Sequence, residues 1–238
     1  MNFSRRRNIV NNELFLNGTV IDRVKSFLDL GVLFSRNLSF KDHINLCVSK
    51  ANSMLGFLIR FSRDFHDPYT LKILFVSFVR SHLEYASIIW NPYYNNSSIR
   101  LESIQKRFLV FALRRLPRDE NCPRYVLPPY LGRCLLLNIE PLSVRRQFFC
   151  AVFVRDIVMG RIDCPQLLYL CAIRAPTRYL RSRGFAIELD FHWSNYGMSD
   201  SIFNACRVFN NVSSIFDFNL SRDAFKCTVK KYLFHNHT

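Results

Sequence analysis

Few groupings in this 238-residue sequence have the residue types and spacing that chemistry requires. His43 and Cys47 stand four apart, the step that places two metal ligands on adjacent positions of a helix face, and Asp64 with Asp67 offers a pair of carboxylates. Neither completes a site. Zinc needs further ligands, none follows nearby, and Cys47 belongs to an apolar stripe. Cys206, Cys227, His235 and His237 lack the spacing of a zinc knuckle, and no nucleophile turn for Ser-His-Asp chemistry is present. The eight cysteines contain no Cys-x-x-Cys and read as small buried hydrophobes in a reducing compartment. The expectation is no catalytic residue, no metal and no cofactor.

What the sequence does supply is positive charge: 33 Lys and Arg against 18 Asp and Glu, a formal excess of +15. Such an excess points first to nucleic acid and second to an anionic membrane surface. It is carried by both halves of the chain, which argues against a neutral domain with a basic arm. Ser103, Lys106, Arg107, Val110 and Arg114 share one face of a helix expected over 97–116, with Arg100 at its edge and only Glu102 opposing the charge. Lys106, Arg107 and Arg114 are the leading candidates for gripping phosphates, with Arg60 and Arg63 next. Tyr93 and Tyr94, near these charges, either stack on bases or pack their loop.

The elements that must hold this face are legible from periodicity. With 49% hydrophobic residues, 23 of them Phe, the chain has ample material for a core. Residues 13–22 read as a β hairpin around Asn17-Gly18, and a third extended stretch, Phe27 to Phe34, is placed to pair with it. Ser39-x-x-Asp42 resembles a capping box opening a helix whose apolar stripe is Ile44, Cys47, Val48, Ala51, Leu55 and Leu58. Asp67-Pro68 caps a second helix, with Leu71, Leu74, Phe75, Phe78, Tyr85, Ala86 and Ile89 on one face and Asn91-Pro92 at its end. Leu101, Ile104, Phe108, Phe111 and Ala112 give the apolar face of the third. Pro117 to Pro129 is the best boundary. Beyond it a helix runs from Glu140-Pro141 to Gly160, a basic loop covers Arg174 to Arg183, and closing helices span 201–210 and 221–233. The fold class is therefore mainly α: a short N-terminal β hairpin, a three-helix bundle and a second helical cluster. The expected divisions are 1–36, 37–120 and 121–238.

Three phrases in this order carry a resemblance. Asp29-Leu30-Gly31-Val32-Leu33-Phe34, continuing through Asn37 to Ile44, resembles the passage just after the palm in jockey-like, LINE-type (non-LTR) retrotransposon reverse transcriptases. Arg80-Ser81-His82-Leu83-Glu84-Tyr85-Ala86-Ser87 with Trp90-Asn91-Pro92 is similar to a second phrase of that family, and Leu101-Glu102-Ser103-Ile104-Gln105-Lys106-Arg107-Phe108 to a third. Asn211, Asp217-Phe218, Ser221 and Phe225-Lys226 look like the end of such proteins, so the likeness runs from about residue 13 to 233. The resemblance implies a thumb with a helical C-terminal extension, holding an RNA template and growing DNA strand against the palm domain of a full-length element protein.

Polymerisation in that family uses two metal ions held by palm carboxylates, including a paired-aspartate motif. This sequence has no adjacent aspartates and starts only a few residues before the hairpin. The expectation is a truncated, nucleic-acid-binding fragment that is not an enzyme on its own. Residues 1–15 are charged without an apolar run, and no apolar run reaches membrane-spanning length, so the chain reads as nuclear or cytoplasmic and not secreted. Two alternatives stay open: a basic helical adaptor for a partner protein, and a product of a degraded element with no cellular role.

Overall fold

Two mirror-image turns shape the residues before the first helix. Strands β1 (Phe15–Leu16) and β2 (Thr19–Val20) pair antiparallel across Asn17-Gly18, whose φ angles of 50° and 79° suit a two-residue hairpin turn. The stretch from Phe27 to Phe34 does not extend this sheet. It folds on itself as β3 (Ser26–Asp29) and β4 (Val32–Ser35) around Leu30-Gly31, at φ 44° and 80°. The second positive-φ pair turns the chain back before it can reach the first hairpin. Gly31 is further constrained from above: a Cβ there would lie 3.3 Å from Cε1 of Tyr85, whose hydroxyl donates to the Leu30 carbonyl at 2.8 Å.

The computed structural model describes residue 3 and residues 13–64, 67–115, 127–173, 187–189, 197, 200–212 and 220–235. Over these residues the chain is mainly helical, with the short antiparallel hairpin leading into helices. Helix α1 (Lys41–Phe61) buries the whole expected stripe of Ile44, Cys47, Val48, Ala51, Leu55 and Leu58. The capping box at Ser39 does not form. The N-cap is Phe40, at φ 51° and without a side-chain cap, and the Ser39 amide donates to Asn37 Oδ1. Edge-on packing of Phe40 against Phe34, 5.7 Å between rings, sets the entry into α1 in its place.

Asp67 caps α2 (Pro68–Leu74) as expected, accepting from the amides of Tyr69 and Thr70. The apolar face beyond it is not the expected one. A π-helical stretch, Phe75–Arg80, follows without a break and leads into α3 (Ser81–Glu84). The wider turn carries an extra residue, which suits an apolar spacing of four: Leu71, Phe75, Val79 and Leu83 are all fully buried. Phe78, Tyr85 and Ile89, assigned to the core by a 3.6-residue period, are exposed. The helix also breaks before Asn91, at Tyr85-Ala86, where Ala86 adopts φ 51° and α4 (Ser87–Trp90) begins. Trp90 Nε1 donates to the Tyr85 carbonyl at 2.8 Å, closing that break.

Helix α5 (Asn95–Leu113) completes the bundle by stacking Phe108 on Phe75, ring centroids 4.0 Å apart. The first core also takes in Cys134 from α6 (Tyr130–Leu136), with Ile139 and Leu142. A second core forms around α7 (Leu142–Val158), with α8 (Pro165–Leu170), α9 (Ser201–Val212) and α10 (Arg222–His235). Helices α6 and α8 have no counterpart in the sequence reading. The expected basic loop at 174–183 and most of the boundary at 117–129 lie outside the described residues. No described helix is long and apolar enough to cross a membrane.

Helix α7 is packed on several sides, so its charges are turned inward. Arg145 pairs with Glu84, its Nη2 at 2.9 Å, and with Glu140, which also receives Lys230 of α10. Burial works against the Glu140 carboxylate, yet its hydrogen bond from Lys230 holds it below the usual carboxylate range. Arg146 and Arg155 are buried as well. The arginines of α7 therefore serve internal contacts and do not form an exposed basic face.

His43 joins the β4 turn to the bundle. Its Nδ1 accepts from the Leu33 amide at 3.2 Å, which places the proton of the neutral ring on Nε2, facing Cys47 Sγ at 3.4 Å. The ring meets Trp90 edge-on at 5.3 Å. Burial, then Lys50, lowers its pKa below 6.5, while burial pushes the Cys47 thiol up to about 11. The unfolded chain takes up this proton near pH 6.5 and the folded chain only at lower pH. The stability from His43 is therefore complete above that value and lost as pH falls towards the folded pKa. Melting midpoints should drop more steeply between about pH 7 and pH 5 in the wild type than in His43→Asn, which keeps an acceptor but cannot titrate. Equal slopes would refute this role.

Candidate nucleic-acid interface

The third phrase, Leu101 to Phe108, sorts by α5 geometry into a buried and an exposed set. Leu101, Glu102, Ile104, Gln105 and Phe108 are buried, while Ser103, Lys106 and Arg107 face out. Glu102, expected to oppose the basic face, has turned away from it. Its Oε1 accepts from the Leu142 amide at 2.9 Å, capping the start of α7, and from the Tyr130 hydroxyl. Burial first, and then the Glu102 charge, raise the Tyr130 pKa, so the phenol stays protonated and remains a donor. Gln105 Nε2 donates to the Glu140 carbonyl at 3.0 Å and to Tyr130 at 3.0 Å.

The outward face lines an open groove of about 450 Å³ between α1, α5 and α6. Lys106, Arg107 and Arg114 lie in it together with Arg115 and Arg133. No carboxylate is in its lining among the described residues, and its apolar surface is Ile59, Val110 and Phe111. Several of the cations are positioned. Arg107 Nη1 donates to Asn52 Oδ1 at 2.9 Å, and Lys106 Nζ stands 5.0 Å from the centre of the Tyr130 ring. Arg115 lies over Phe111 at 4.4 Å and reaches the Ser62 carbonyl. Arg133 Nε is buried without a partner among the described residues.

Arg100, Arg60 and Arg63 do not line this groove. Arg100 Nη1 donates to Asn45 Oδ1 at 2.7 Å, one heptad before the Arg107–Asn52 pair on both helices. These equal steps in the same sense show that α1 and α5 run parallel, with two Arg–Asn rungs between them. Arg60 folds back towards Gly56, and Arg63 offers its carbonyl to Arg115 at 3.4 Å. Sequence reasoning missed Arg115, although it adjoins Arg114, and Arg133, which no spacing pattern ties to α5. Tyr93 and Tyr94 meet each other edge-on at 5.2 Å and are exposed, on the opposite end of α5.

Positive charge beside an apolar surface is the complement of a sugar–phosphate backbone, which alternates anionic phosphates with the apolar faces of sugars. Among the described residues no three His, Cys, Asp or Glu side chains gather as a metal site. Comparison of the chain with protein-family models, curated proteins and solved structures finds no match.

Removing the Glu102 carboxylate takes the acceptor from the buried Leu142 amide and from the proton of the Tyr130 hydroxyl. Glu102→Ala should therefore cost about 2–3 kcal/mol in denaturant unfolding, and Glu102→Gln, which keeps an acceptor, less than half of that. A loss below about 0.5 kcal/mol for Glu102→Ala would show that this cap is dispensable.

Proposed function

We propose that this chain is a nucleic-acid-gripping helical module, the thumb and C-terminal region that follows the palm in a LINE-type reverse transcriptase. The observation that carries the reading is the α1–α5–α6 groove, with five cations, an apolar surface and no carboxylate in its lining among the described residues. Lys106, Arg107 and Arg114 make phosphate contacts there with Arg115 and Arg133, on an RNA–DNA template–primer duplex held without regard to sequence. Arg100 acts from one side by tying α5 to α1, while Arg60 and Arg63 stand beyond the end of the groove. The ordered likeness of the three phrases supports the family, and the absence of adjacent aspartates supports a module without polymerase chemistry of its own. Its place of action is the nucleus or cytoplasm.

Each phosphate neutralised releases counterions, so duplex affinity should fall steeply with salt. Changing Lys106, Arg107 and Arg114 together to Ala should weaken binding and flatten the logarithmic salt slope by up to about three units, roughly one per lost contact. Ile104, Phe108 and Ala112 are untouched, so the fold should survive, and Lys231→Ala on α10 should change little. Wild-type affinity and slope in a folded triple variant would reject the groove. The same preparation should extend no primer on an RNA template with magnesium, and incorporation above a mock purification would reject the non-enzymatic reading.

A further inference from the structure

A second cavity, of about 740 Å³, lies between the α4–α5 connection, the first turns of α7 and α9, away from the basic groove. Its most unusual feature is Arg146, only 3% exposed. Nη2 donates to Ser98 Oγ at 2.9 Å, while Nη1 is buried with no hydrogen-bond partner among the described residues. Burial lowers the guanidinium pKa, opposed by the more distant charges of Glu102 and Glu84, and no ion pair is formed by Arg146 within 4 Å among the described residues. A desolvated guanidinium with one donor unused and a cavity beside it calls for an anion.

The rest of the wall has the same preference. Helix α5, 19 residues long, starts at Asn95 with no side-chain cap and no acid in its first turn, so its positive end faces this space uncompensated. Arg207 stands at the lining with its Nη2 donating to Asn204 Oδ1 at 2.8 Å, and no carboxylate is in the lining among the described residues. Two guanidiniums and a helix start match a dianion better than a single carboxylate. Beside them Tyr93 and Tyr94 offer exposed aromatic rings, and Asn95 and Gln147 offer carboxamides that both donate and accept.

We infer that this cavity binds a nucleoside 5′-monophosphate unit, with its phosphate on Arg146 and Arg207 at the start of α5 and its base against Tyr93 and Tyr94. The volume falls within the range of sites for small ligands. A free nucleotide and the 5′-phosphorylated end of a strand present the same chemistry here. This site is separate from the groove proposed above to hold duplex.

The test is calorimetric titration of the purified full chain with adenosine 5′-monophosphate, adenosine, inorganic phosphate and a 5′-phosphorylated trinucleotide. The monophosphate should bind saturably, and adenosine and phosphate each about tenfold or more weaker. Arg146→Gln should lose about tenfold or more in affinity, and the exposed Arg207→Ala and Tyr94→Ala should each lose several-fold while leaving the melting midpoint unchanged, which keeps the test decisive if the buried variant does not fold. The trinucleotide binding about tenfold tighter than the monophosphate assigns the site to strand ends, and equal or weaker binding assigns it to free nucleotide. The triple variant of Lys106, Arg107 and Arg114 should keep wild-type affinity for the monophosphate, so failure of this site and failure of the groove are distinguishable. No saturable binding, equal affinity for inorganic phosphate, or indifference to Arg207→Ala and Tyr94→Ala would overturn the inference.

Discussion

The Glu102 carboxylate is the constraint on which the fold and its basic face both depend. On a solvent-exposed helix it would neutralise the charge of Lys106 beside it. Drawn inward, it accepts the Leu142 amide and the Tyr130 hydroxyl, so one side chain of α5 fixes the start of α7 and the position of α6. A charged acceptor at a helix start, with donors supplied from two other elements, holds more firmly than a neutral contact. Burying this carboxylate has a desolvation cost that these donors and the nearby Arg146 charge offset. The same rotation leaves the outer face of α5 without an acid, and brings α6, with Arg133, to the far wall of the groove.

From that junction the rest of the architecture follows. Helix α7 belongs to both cores, giving Leu142 to the first and most of its length to the second. Arg145 draws Glu84 of α3 and Glu140 together, and Lys230 of α10 closes the group. The residues of the first two phrases also meet one another. Leu30 receives Tyr85, Leu33 donates to His43, and His43 packs on Trp90. In this structure those phrases act as scaffold, and the exposed cations are mounted on it.

Elements whose pattern is local were legible in the sequence. The α1 stripe repeats at regular helical steps, Asn17-Gly18 demands its turn, and Asp67-Pro68 caps α2, because each depends on a few neighbouring residues. The failures have a common cause in tertiary packing. A π-helical stretch changes the period, so Val79 is buried where a constant α period favoured Phe78. Leu30-Gly31 closes its own hairpin, although its strands look fit to extend the first. Phe40 enters α1 by packing on Phe34, which no capping rule anticipates. Half of the groove was visible as one face of α5; Arg133 was not, because its place depends on Tyr130 finding Glu102 across 28 residues of sequence. Burial of Arg146 was hidden for the same reason, since an arginine near a helix start reads as solvated until its neighbours are known.

The central claim is that one groove of this chain, and not its diffuse charge, holds a nucleic-acid backbone. Titration with a short RNA–DNA duplex, followed through the side-chain Nε–H signals of arginine by nuclear magnetic resonance, tests it most directly. The account predicts that the signals of Arg107, Arg114, Arg115 and Arg133 shift together and saturate, while those of the internally paired Arg145 and Arg222 stay in place. Shifts spread evenly over exposed arginines such as Arg23 and Arg161, with none concentrated in the groove, would contradict it.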